Sequence, residues 1–328
     1  MSVTTKDIAR ICGISRGTVD RALNNKGRIN TETKERILRV AEELGYKPDL
    51  LARSLSTGHT MTIGVIVFDI RNRYFAQLVN AMETEARQNG FFLNISLQEK
   101  DPETEIELID SLVGRRVDGI IMCPVNKGDG FNSIIASQPI PIITVGNKIS
   151  NQIPYVGIDE SKAAFIAVEH IISKGYQEII FVCPPLHDGD KENIYVHEER
   201  YKGYKEALKI NPNIRSSVIR RWDYLSKIEE IYKNAKNRIA IFCSGDTYAL
   251  EIIKLFRKKG IRIPEDVGLM GFDNIDTLEY VIPELTTISV PLREIGESAV
   301  KLLISKINGE DTVNNLILPY HLIDGKSL

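Results

Sequence analysis

From Thr62 onward, short apolar runs alternate with longer amphipathic stretches. The apolar runs are TIGVIVF, FFLNISL, VDGIIMC, PIITVG, EIIFVCP, SVIRRW, RIAIFCS and DVGLMGFD. The stretches between them include YFAQLVNAMETEARQNG, KAAFIAVEHIISKG and TYALEIIKLFRKKG, which have helical spacing. Strands buried on both faces of a parallel sheet are continuously apolar, and helices connect them, so the pattern predicts an α/β fold with parallel sheets.

The alternation falls into two successive halves, with a late return of the chain over residues 286–328. We therefore expect a body over residues 61–328 made of two lobes, with chain crossings near 160 and 290. Open sheets of this kind bind ligands at the carboxyl ends of their strands. A cleft between two lobes can also close on a small molecule by a hinge motion.

The first sixty residues follow a different pattern, which predicts three short helices. Their start signals are a Thr4 to Asp7 capping box, Ser15 and Thr31, and their stop signals include Gly13 and Gly45. This segment holds eleven Lys and Arg against seven Asp and Glu, whereas the remainder of the chain is acidic. A small basic module on an acidic body suits a polyanionic partner.

Two helices joined by a glycine-containing turn are typical of the helix-turn-helix, whose second helix enters the major groove of DNA. Arg16 and Arg21 lie on that second helix, where a guanidinium can reach the O6 and N7 acceptors of guanine. The local pattern alone also allows a three-helix bundle with a solvated arginine face.

The segment TTKDIARICGISRGTVDRALNNKGRINTETKERILRVAEELGYKPDLLARSLSTGHTMTIGVIV resembles the opening of the LacI/GalR family of bacterial transcription regulators. The resemblance implies a three-helix DNA-binding domain over residues 1–47 and a hinge segment over residues 48–60. It also implies that the body has the two-lobed architecture of periplasmic binding proteins and both binds an effector and dimerises.

The same resemblance assigns DNA contacts. It places Arg16, Gly17, Arg21 and Arg28 in the groove, and Thr4, Thr18, Asn24 and Tyr46 where they face or support backbone contacts. Asp20 departs from the family pattern, in which a serine is usual. A carboxylate near phosphates is repelled unless it accepts from a cytosine amino group or pairs with an arginine such as Arg16.

Residues 48–60 are too few to hold a helix alone in water, because nucleation outweighs propagation at that length. The resemblance implies that this segment becomes a hinge helix, which pairs with its dimer mate in the minor groove. Leu55 would then wedge between base pairs and kink the duplex. The alternative is that Leu55 packs against the body.

Effector-binding candidates follow the predicted strands. They are Asp69, Asn72, Tyr74, Phe75, Arg200, Trp222, Asp246 and Asp273. Polar groups beside aromatic faces suit a sugar or a flat base. Arg200 matches the family arginine that faces ligand hydroxyls or a carboxylate. An aspartate at a strand end can equally cap the following helix, and Trp222 can be ordinary packing.

Two positions depart from the best-known sugar sites of the family. Gly245 stands where asparagine is common, and Val290 where glutamine is frequent. A sugar, a sugar derivative, a polyol or a nucleoside therefore all remain open as the effector.

No catalytic motif accompanies the five histidines, and neither GxSxG nor a Walker phosphate loop is present. The four cysteines are scattered, so we expect buried small side chains rather than metal ligands. We predict a regulator without a cofactor or a metal rather than an enzyme. A sugar-binding or nucleoside-binding module without a DNA-binding role and a sugar-processing enzyme are the alternatives.

A recognition helix reads only one half-site, so we expect a homodimer on double-stranded operator DNA, most simply as a repressor. Neither a secretory signal nor an apolar run long enough for a membrane helix is evident, which favours a soluble cytoplasmic protein. The sequence leaves open whether the effector is an inducer or a corepressor.

Overall fold

The computed structural model describes residues 3–23, 27, 29–46, 54, 58–186, 192–234 and 238–328. The chain divides into two compact units, Met1–Thr60 and Met61–Leu328. The predicted hinge segment lies mostly outside the described residues.

Three helices surround one small core in the described part of the first unit. The helices are α1 Thr5–Cys12, α2 Arg16–Leu23 and α3 Thr31–Glu43. Their inward faces bury Ile8, Ala9, Cys12, Val19, Ala22, Ile37 and Ala41. Three helices of this length bury enough apolar surface only when packed together.

The helix ends follow the predicted start and stop signals, except at the start of α3. Asp7 accepts hydrogen bonds from the backbone N–H and the hydroxyl of Thr4, at 3.0 and 2.8 Å. Gly13 ends α1 in the left-handed conformation, with φ at 64°. The cap of α3 is Asn30 and not Thr31, because the Asn30 side chain accepts from the N–H of Glu32.

The second unit has the predicted alternation of strands and helices. Its strands are β1 Thr62–Val67, β2 Phe92–Leu97, β3 Gly119–Met122, β4 Ile142–Val145, β5 Tyr155–Gly157, β6 Glu178–Cys183, β7 Arg215–Arg220, β8 Ile239–Cys243, β9 Gly268–Met270, β10 Thr287–Ser289, β11 Asn315–Ile317 and β12 His321–Ile323. Its helices are α4 Arg73–Gln88, α5 Pro102–Gly114, α6 Gly128–Ala136, α7 Glu160–Ser173, α8 Tyr195–Ile210, α9 Tyr224–Asn234, α10 Asp246–Lys259 and α11 Leu292–Ile307, with a 3₁₀ turn over Asp276–Tyr280.

Two separate sheets give the body its two lobes. The first lobe has the strand order β11-β5-β4-β3-β1-β2 and the second has β7-β6-β8-β9, and all of these pairs are parallel. The antiparallel pair β10–β12 adjoins β9 through isolated bridges. The chain passes between the lobes after β5, after β10 and again between β11 and β12. The last of these passages is absent from the sequence-based expectation.

The sheets are covered by closely packed helices. In α8, Gly203 lies so near α7 that a β-carbon would stand 1.9 Å from the backbone oxygen of Ser161. All four cysteines are buried and free, as predicted. Within the described part of the chain, no helix combines the length and apolar character needed to cross a membrane.

We predict that Gly203→Ala lowers the free energy of unfolding by about 1–3 kcal/mol or more, because the new methyl group meets backbone that cannot rotate away. Gly130→Ala in α6 is the matched control, since a β-carbon there meets nothing within 4 Å. Urea denaturation of both variants measures the difference. Equal stabilities would contradict the close approach of α7 and α8.

Candidate functional site

A cavity of about 700 Å³ opens between the two lobes, at the carboxyl ends of the parallel strands. The first lobe contributes the residues after β1 and those after β3 and β4. The second lobe contributes the start of α8, the residues after β8 and the loop after β9. This volume lies within the range of typical small-molecule sites.

Six of the eight predicted effector residues line this cavity. They are Asp69, Asn72, Tyr74, Phe75, Arg200 and Asp273. Trp222 lines a smaller adjoining cavity of about 80 Å³. Asp246 lines neither of the two.

The cavity floor is organised by Arg200, which is 3 % exposed. Its guanidinium donates to Glu160 Oε2 at 2.7 Å and to the backbone oxygen of Ser244 at 2.6 Å, and it forms an ion pair with Asp273 Oδ1 at 3.0 Å. The guanidinium carbon also lies 3.7 Å from the centroid of the Phe272 ring. Arg200 therefore has partners on every side within the protein.

Burial and charge shift the titration of this cluster. Burial raises the pKa of Asp273 to about 7, although Arg200 opposes the shift. Burial likewise raises the pKa of Glu160 against the opposing effect of Arg200. Burial lowers the pKa of Arg200, but Glu160 and Asp273 outweigh it, so that this pKa stands above its ordinary value. The arginine remains charged.

Asp273 keeps capacity for a ligand. Its Oδ1 atom is buried, and no described residue donates a well-aligned hydrogen bond to it, since the contact with Arg200 is an ion pair only. The residue also has φ at 114°, a conformation that non-glycine residues rarely adopt. Strained residues of this kind concentrate at binding sites.

Asp246 has a different role from Asp273. Its carboxylate accepts hydrogen bonds from the N–H of Ile275 at 3.0 Å and from the hydroxyl of Thr287 at 2.8 Å. Burial, followed by the charge of Asp273, raises its pKa to about 8. Asp246 therefore links the loop after β9 to β10. Because Asp273 lies in this loop, the link helps to hold Asp273 in position.

The residues after β1 combine backbone capping with an aromatic wall. Asp69 Oδ1 accepts from the N–H groups of Arg71 and Asn72, and Asn72 caps α4 by accepting from the N–H of Tyr74. The Tyr74 and Phe75 rings meet edge to face at 5.1 Å. Both aromatic side chains are mostly buried and present apolar surface to the cavity.

Three polar atoms at the cavity were not foreseen from the sequence. His197 Nδ1, Ser244 Oγ and Thr277 Oγ1 are buried and have no hydrogen-bond partner among the described residues. Burial lowers the pKa of His197 to about 3, so its imidazole is neutral. Such atoms are satisfied by water or by a bound ligand. The position of Ser244 directly after β8 was the available signal in the sequence.

The two departures from the family pattern differ in their placement. Gly245 lines the cavity, and a β-carbon there would stand 3.4 Å from Asp273 Oδ2. The absence of a side chain leaves room beside Asp273. Val290 lines neither cavity and is buried behind the loop, where its N–H donates to the backbone oxygen of Asp273.

In the first unit, α2 presents Arg16 and Asp20 at its surface, with side chains 59 % and 46 % exposed. Arg16 Nε donates to Thr5 Oγ1 at 3.1 Å and lies 3.9 Å from Asp20 Oδ2. The unusual carboxylate thus has the arginine partner that the sequence suggested. An exposed pair of this length is weak and can rearrange.

Arg21 folds back along α2, where its Nε donates to the backbone oxygen of Gly17 at 3.1 Å and its Nη2 reaches Thr18 Oγ1 at 3.5 Å. A β-carbon at Gly17, in the first turn of the helix, would meet only Ser15 Oγ, at 3.9 Å. Thr4 caps α1, and Tyr46 packs against the small core. The predicted contacts Asn24, Arg28 and Leu55 lie outside the described residues.

Comparison with known proteins gives two family matches. Residues 4–49 match "Bacterial regulatory proteins, lacI family", and residues 168–328 match "Periplasmic binding protein-like domain". Catabolite control protein A of Priestia megaterium is 32% identical over 99% of this chain and 98% of its own length. The chain belongs to the LacI family. It is therefore a DNA-binding transcription regulator rather than an enzyme, which confirms the expectation from the sequence.

Solved structures of LacI-family proteins agree with this fold. The lac repressor dimer bound to operator and the anti-inducer ONPF has a TM-score of 0.86 at 24% identity, over 100% of this chain and 99% of that one. A periplasmic binding protein/LacI transcriptional regulator from Alkaliphilus metalliredigens, complexed with D-xylulofuranose, has a TM-score of 0.71 at 27% identity. That likeness covers 81% of this chain and 98% of the other.

We predict that Arg200→Ala lowers the free energy of unfolding by about 3–5 kcal/mol at neutral pH, because it leaves Glu160 and Asp273 buried without their counter-charge. The control is Arg221→Ala, which removes an exposed arginine from its pair with Asp223 and should cost less than about 1 kcal/mol. Urea denaturation checks both. Equal small losses would contradict the structural role of Arg200.

The loss in Arg200→Ala should grow as the pH rises from 5 to 8. Without the guanidinium the pKa values of Glu160 and Asp273 rise further, so the folded variant holds these groups protonated. A raised folded-state pKa of a carboxyl gives stability that is lost as the pH rises through it. Denaturation curves at both pH values test the sign.

Proposed function

We propose that this chain acts as a homodimeric repressor that binds a near-palindromic operator and whose operator affinity is set by a sugar or sugar derivative in the cleft. The observation that carries the proposal is the cavity itself, which is lined by the Arg200–Asp273 pair and by His197, Ser244 and Thr277, whose buried polar atoms have no hydrogen-bond partner among the described residues. Several unpartnered donors and acceptors beside aromatic rings suit a ligand rich in hydroxyl groups. The sugar complex of the Alkaliphilus relative supports this class.

Within the cleft, we assign direct ligand contact to Asp273, His197, Ser244 and the Tyr74–Phe75 wall. Arg200 orients Asp273 through their ion pair. Asp246 acts as a positioning residue, through its hydrogen bond to Ile275. The space beside Gly245, where the family resemblance implies an asparagine, admits a ligand group.

At the operator, Arg16 and Arg21 of α2 read base edges while Gly17 allows close approach. Both guanidiniums exchange weak intramolecular contacts for base contacts on binding. Arg28, Asn24 and Leu55 complete the proposed contacts by resemblance to the family. A regulator of chromosomal DNA works in the bacterial cytoplasm, which belongs to the proposal.

The proposal of a dimer is supported by the exposed strand β2, which forms one edge of the first sheet. Phe92, Ile95 and Leu97 on this strand are 65 %, 45 % and 38 % exposed. An uncovered apolar edge strand is an aggregation hazard that proteins normally cover. A second copy of the chain is the proposed cover, as the lac repressor is a dimer on its operator.

Effector and operator affinities are then linked in both directions. A coupling free energy of about 1–3 kcal/mol between the sites is typical. An inducer would bind the operator complex less tightly, and a corepressor would bind it more tightly. A mobility-shift series with and without ligand tells the two apart.

We predict that Arg21→Ala weakens operator binding by about 1–3 kcal/mol and relaxes the preference at one base position of each half-site. The measurement is a mobility-shift series on the DNA upstream of the chain's own gene, with single base changes. Arg39→Ala removes the same charge from an exposed position in α3 and should leave base preference unchanged. Unchanged preference in Arg21→Ala would contradict the assigned groove contact.

We predict that Phe92→Glu dissociates the dimer at micromolar concentration, since it places a charge in an apolar interface. Ile210→Glu alters a residue of similar exposure, 62 %, at the end of α8 and should leave the dimer intact. Sedimentation velocity reports both. A Phe92→Glu dimer as stable as the native one would place the interface elsewhere.

A further inference from the structure

Four carboxylates and four cations line the two adjoining cavities, but they do not all pair with one another. Every carboxylate there already has a partner. Asp69 accepts from two backbone N–H groups, Glu251 accepts from the Tyr224 hydroxyl, Asp273 pairs with Arg200, and Glu192 is also engaged.

The cations of the same walls fall into two groups. Arg200 is held by Glu160 and Asp273, and Arg73 by a bidentate pair with Asp276. Lys100 and Arg71 have no carboxylate within 4.0 Å among the described residues. Lys100 and Arg71 thus have no counter-charge among the described residues, whereas each lining carboxylate already accepts a hydrogen bond, forms an ion pair or is otherwise engaged.

Lys100 is the better placed of these two cations, because it lines both cavities. Its ammonium lies 5.8 Å from the centroid of the Phe68 ring in the first lobe and 5.7 Å from that of Trp222 in the second. The ammonium therefore stands between two aromatic rings across the cleft. Three N–H donors on this group have no hydrogen-bond acceptor among the described residues.

The backbone leading to Lys100 is also unusual. Glu99 and Lys100 both have left-handed φ, at 51° and 63°, which costs free energy for residues with a β-carbon. The turn directs the chain from β2 into the cleft mouth and then into α5, which Asp101 caps. Strained backbone persists mainly where function requires it. We therefore interpret the strain at Glu99 and Lys100 as the result of directing the Lys100 side chain to the cleft.

We propose that the effector carries an anionic group, a phosphate or a carboxylate, which binds the Lys100 ammonium between Phe68 and Trp222. The inference rests on the proposed function and narrows its ligand class to charged sugars. The smaller cavity, about 80 Å³, holds the volume of roughly two to three water molecules, which suits a compact substituent rather than a second sugar ring. Unpartnered His197 Nδ1 lines the same cavity and gives the group a neutral neighbour.

The test uses the fluorescence of Trp222, the only tryptophan of the chain, which lies beside the Lys100 ammonium. The full-length protein is titrated with inorganic phosphate and, separately, with acetate, at constant ionic strength set with sodium chloride. We expect a saturable fluorescence change with at least one of these anions, and the preferred anion tells a phosphorylated effector from a carboxylated one.

The variants are Lys100→Met, which keeps the apolar stem, and Lys205→Met as the matched control. Lys205 is likewise exposed and lies 4.6 Å from the Tyr201 ring centroid, but it lines neither cavity. Lys100→Met should weaken anion binding about 10- to 100-fold, the usual loss for one charge-assisted hydrogen bond, and Lys205→Met should bind as the native protein does.

Sugar pairs extend the test by calorimetry. Ribose is compared with ribose 5-phosphate, and glucose with glucuronate. The anionic member should bind at least about 10-fold more tightly, with that advantage lost in Lys100→Met.

Two results would overturn the inference. One is the absence of any saturable fluorescence response to either anion, and the other is a response that survives in Lys100→Met. A neutral sugar that binds the cleft as tightly as its charged counterpart would count against it in the same way. Failure of the proposed function would appear separately, as a native protein that does not bind DNA in the mobility-shift series.

Discussion

The buried guanidinium of Arg200 holds four segments together at the floor of the cleft. It connects α8 with the first turn of α7 through Glu160, with the end of β8 through Ser244, and with the loop after β9 through Asp273. Desolvating three charges is expensive, and only close ion pairs and hydrogen bonds offset it, so the four segments can satisfy their groups only in this arrangement. The cluster therefore fixes the cleft floor before a ligand arrives. A preorganised floor reduces the ordering that binding would otherwise require.

Residues of the same type at neighbouring strand ends have separate roles because their surroundings differ. Asp246 and Asp273 both follow strands of the second lobe, and burial raises the pKa of both. Both oxygens of Asp246 accept hydrogen bonds from within the protein, and the residue lines neither cavity. Asp273 lines the cavity, and its Oδ1 forms an ion pair with Arg200 but receives no hydrogen bond from a described residue. Unfilled hydrogen-bonding capacity at the cavity is therefore a better basis for proposing a ligand contact than position at a strand end.

Much of this molecule could be predicted from its sequence, because the decisive patterns are local. The period of the apolar runs gave the two parallel sheets, and Gly13 gave the end of α1. The cap of α3 shifted from Thr31 to Asn30 because both residue types can accept from the first turn, and only backbone geometry chooses between them. The cleft was harder to predict. Six candidate residues line the cavity because strand ends converge there, whereas Asp246 and Trp222 could be placed only once side-chain directions were known. His197 and Lys100 gave no signal, since partners far apart in the chain decide whether a polar atom is satisfied.

The two sides of the cleft are joined by contacts of different strength. On one side, Asn147 and Asn193 form a buried network, in which the Asn147 amide donates to the Asn193 backbone oxygen at 2.7 Å. On the other, Arg73 and Asp276 form a pair that is 47 % and 35 % exposed. Exposed pairs contribute about 1 kcal/mol or less, whereas buried hydrogen bonds leave unsatisfied groups when they break. On the Arg73 side the N–H of Asp276 also donates to Gln77 Oε1 at 3.0 Å, but the contacts there are less buried than those of Asn147 and Asn193, so we expect the lobes to separate more easily on that side. A ligand need supply only a small difference in binding free energy between the open and closed forms to shift that equilibrium, because a tight ligand with equal affinity for both would shift nothing.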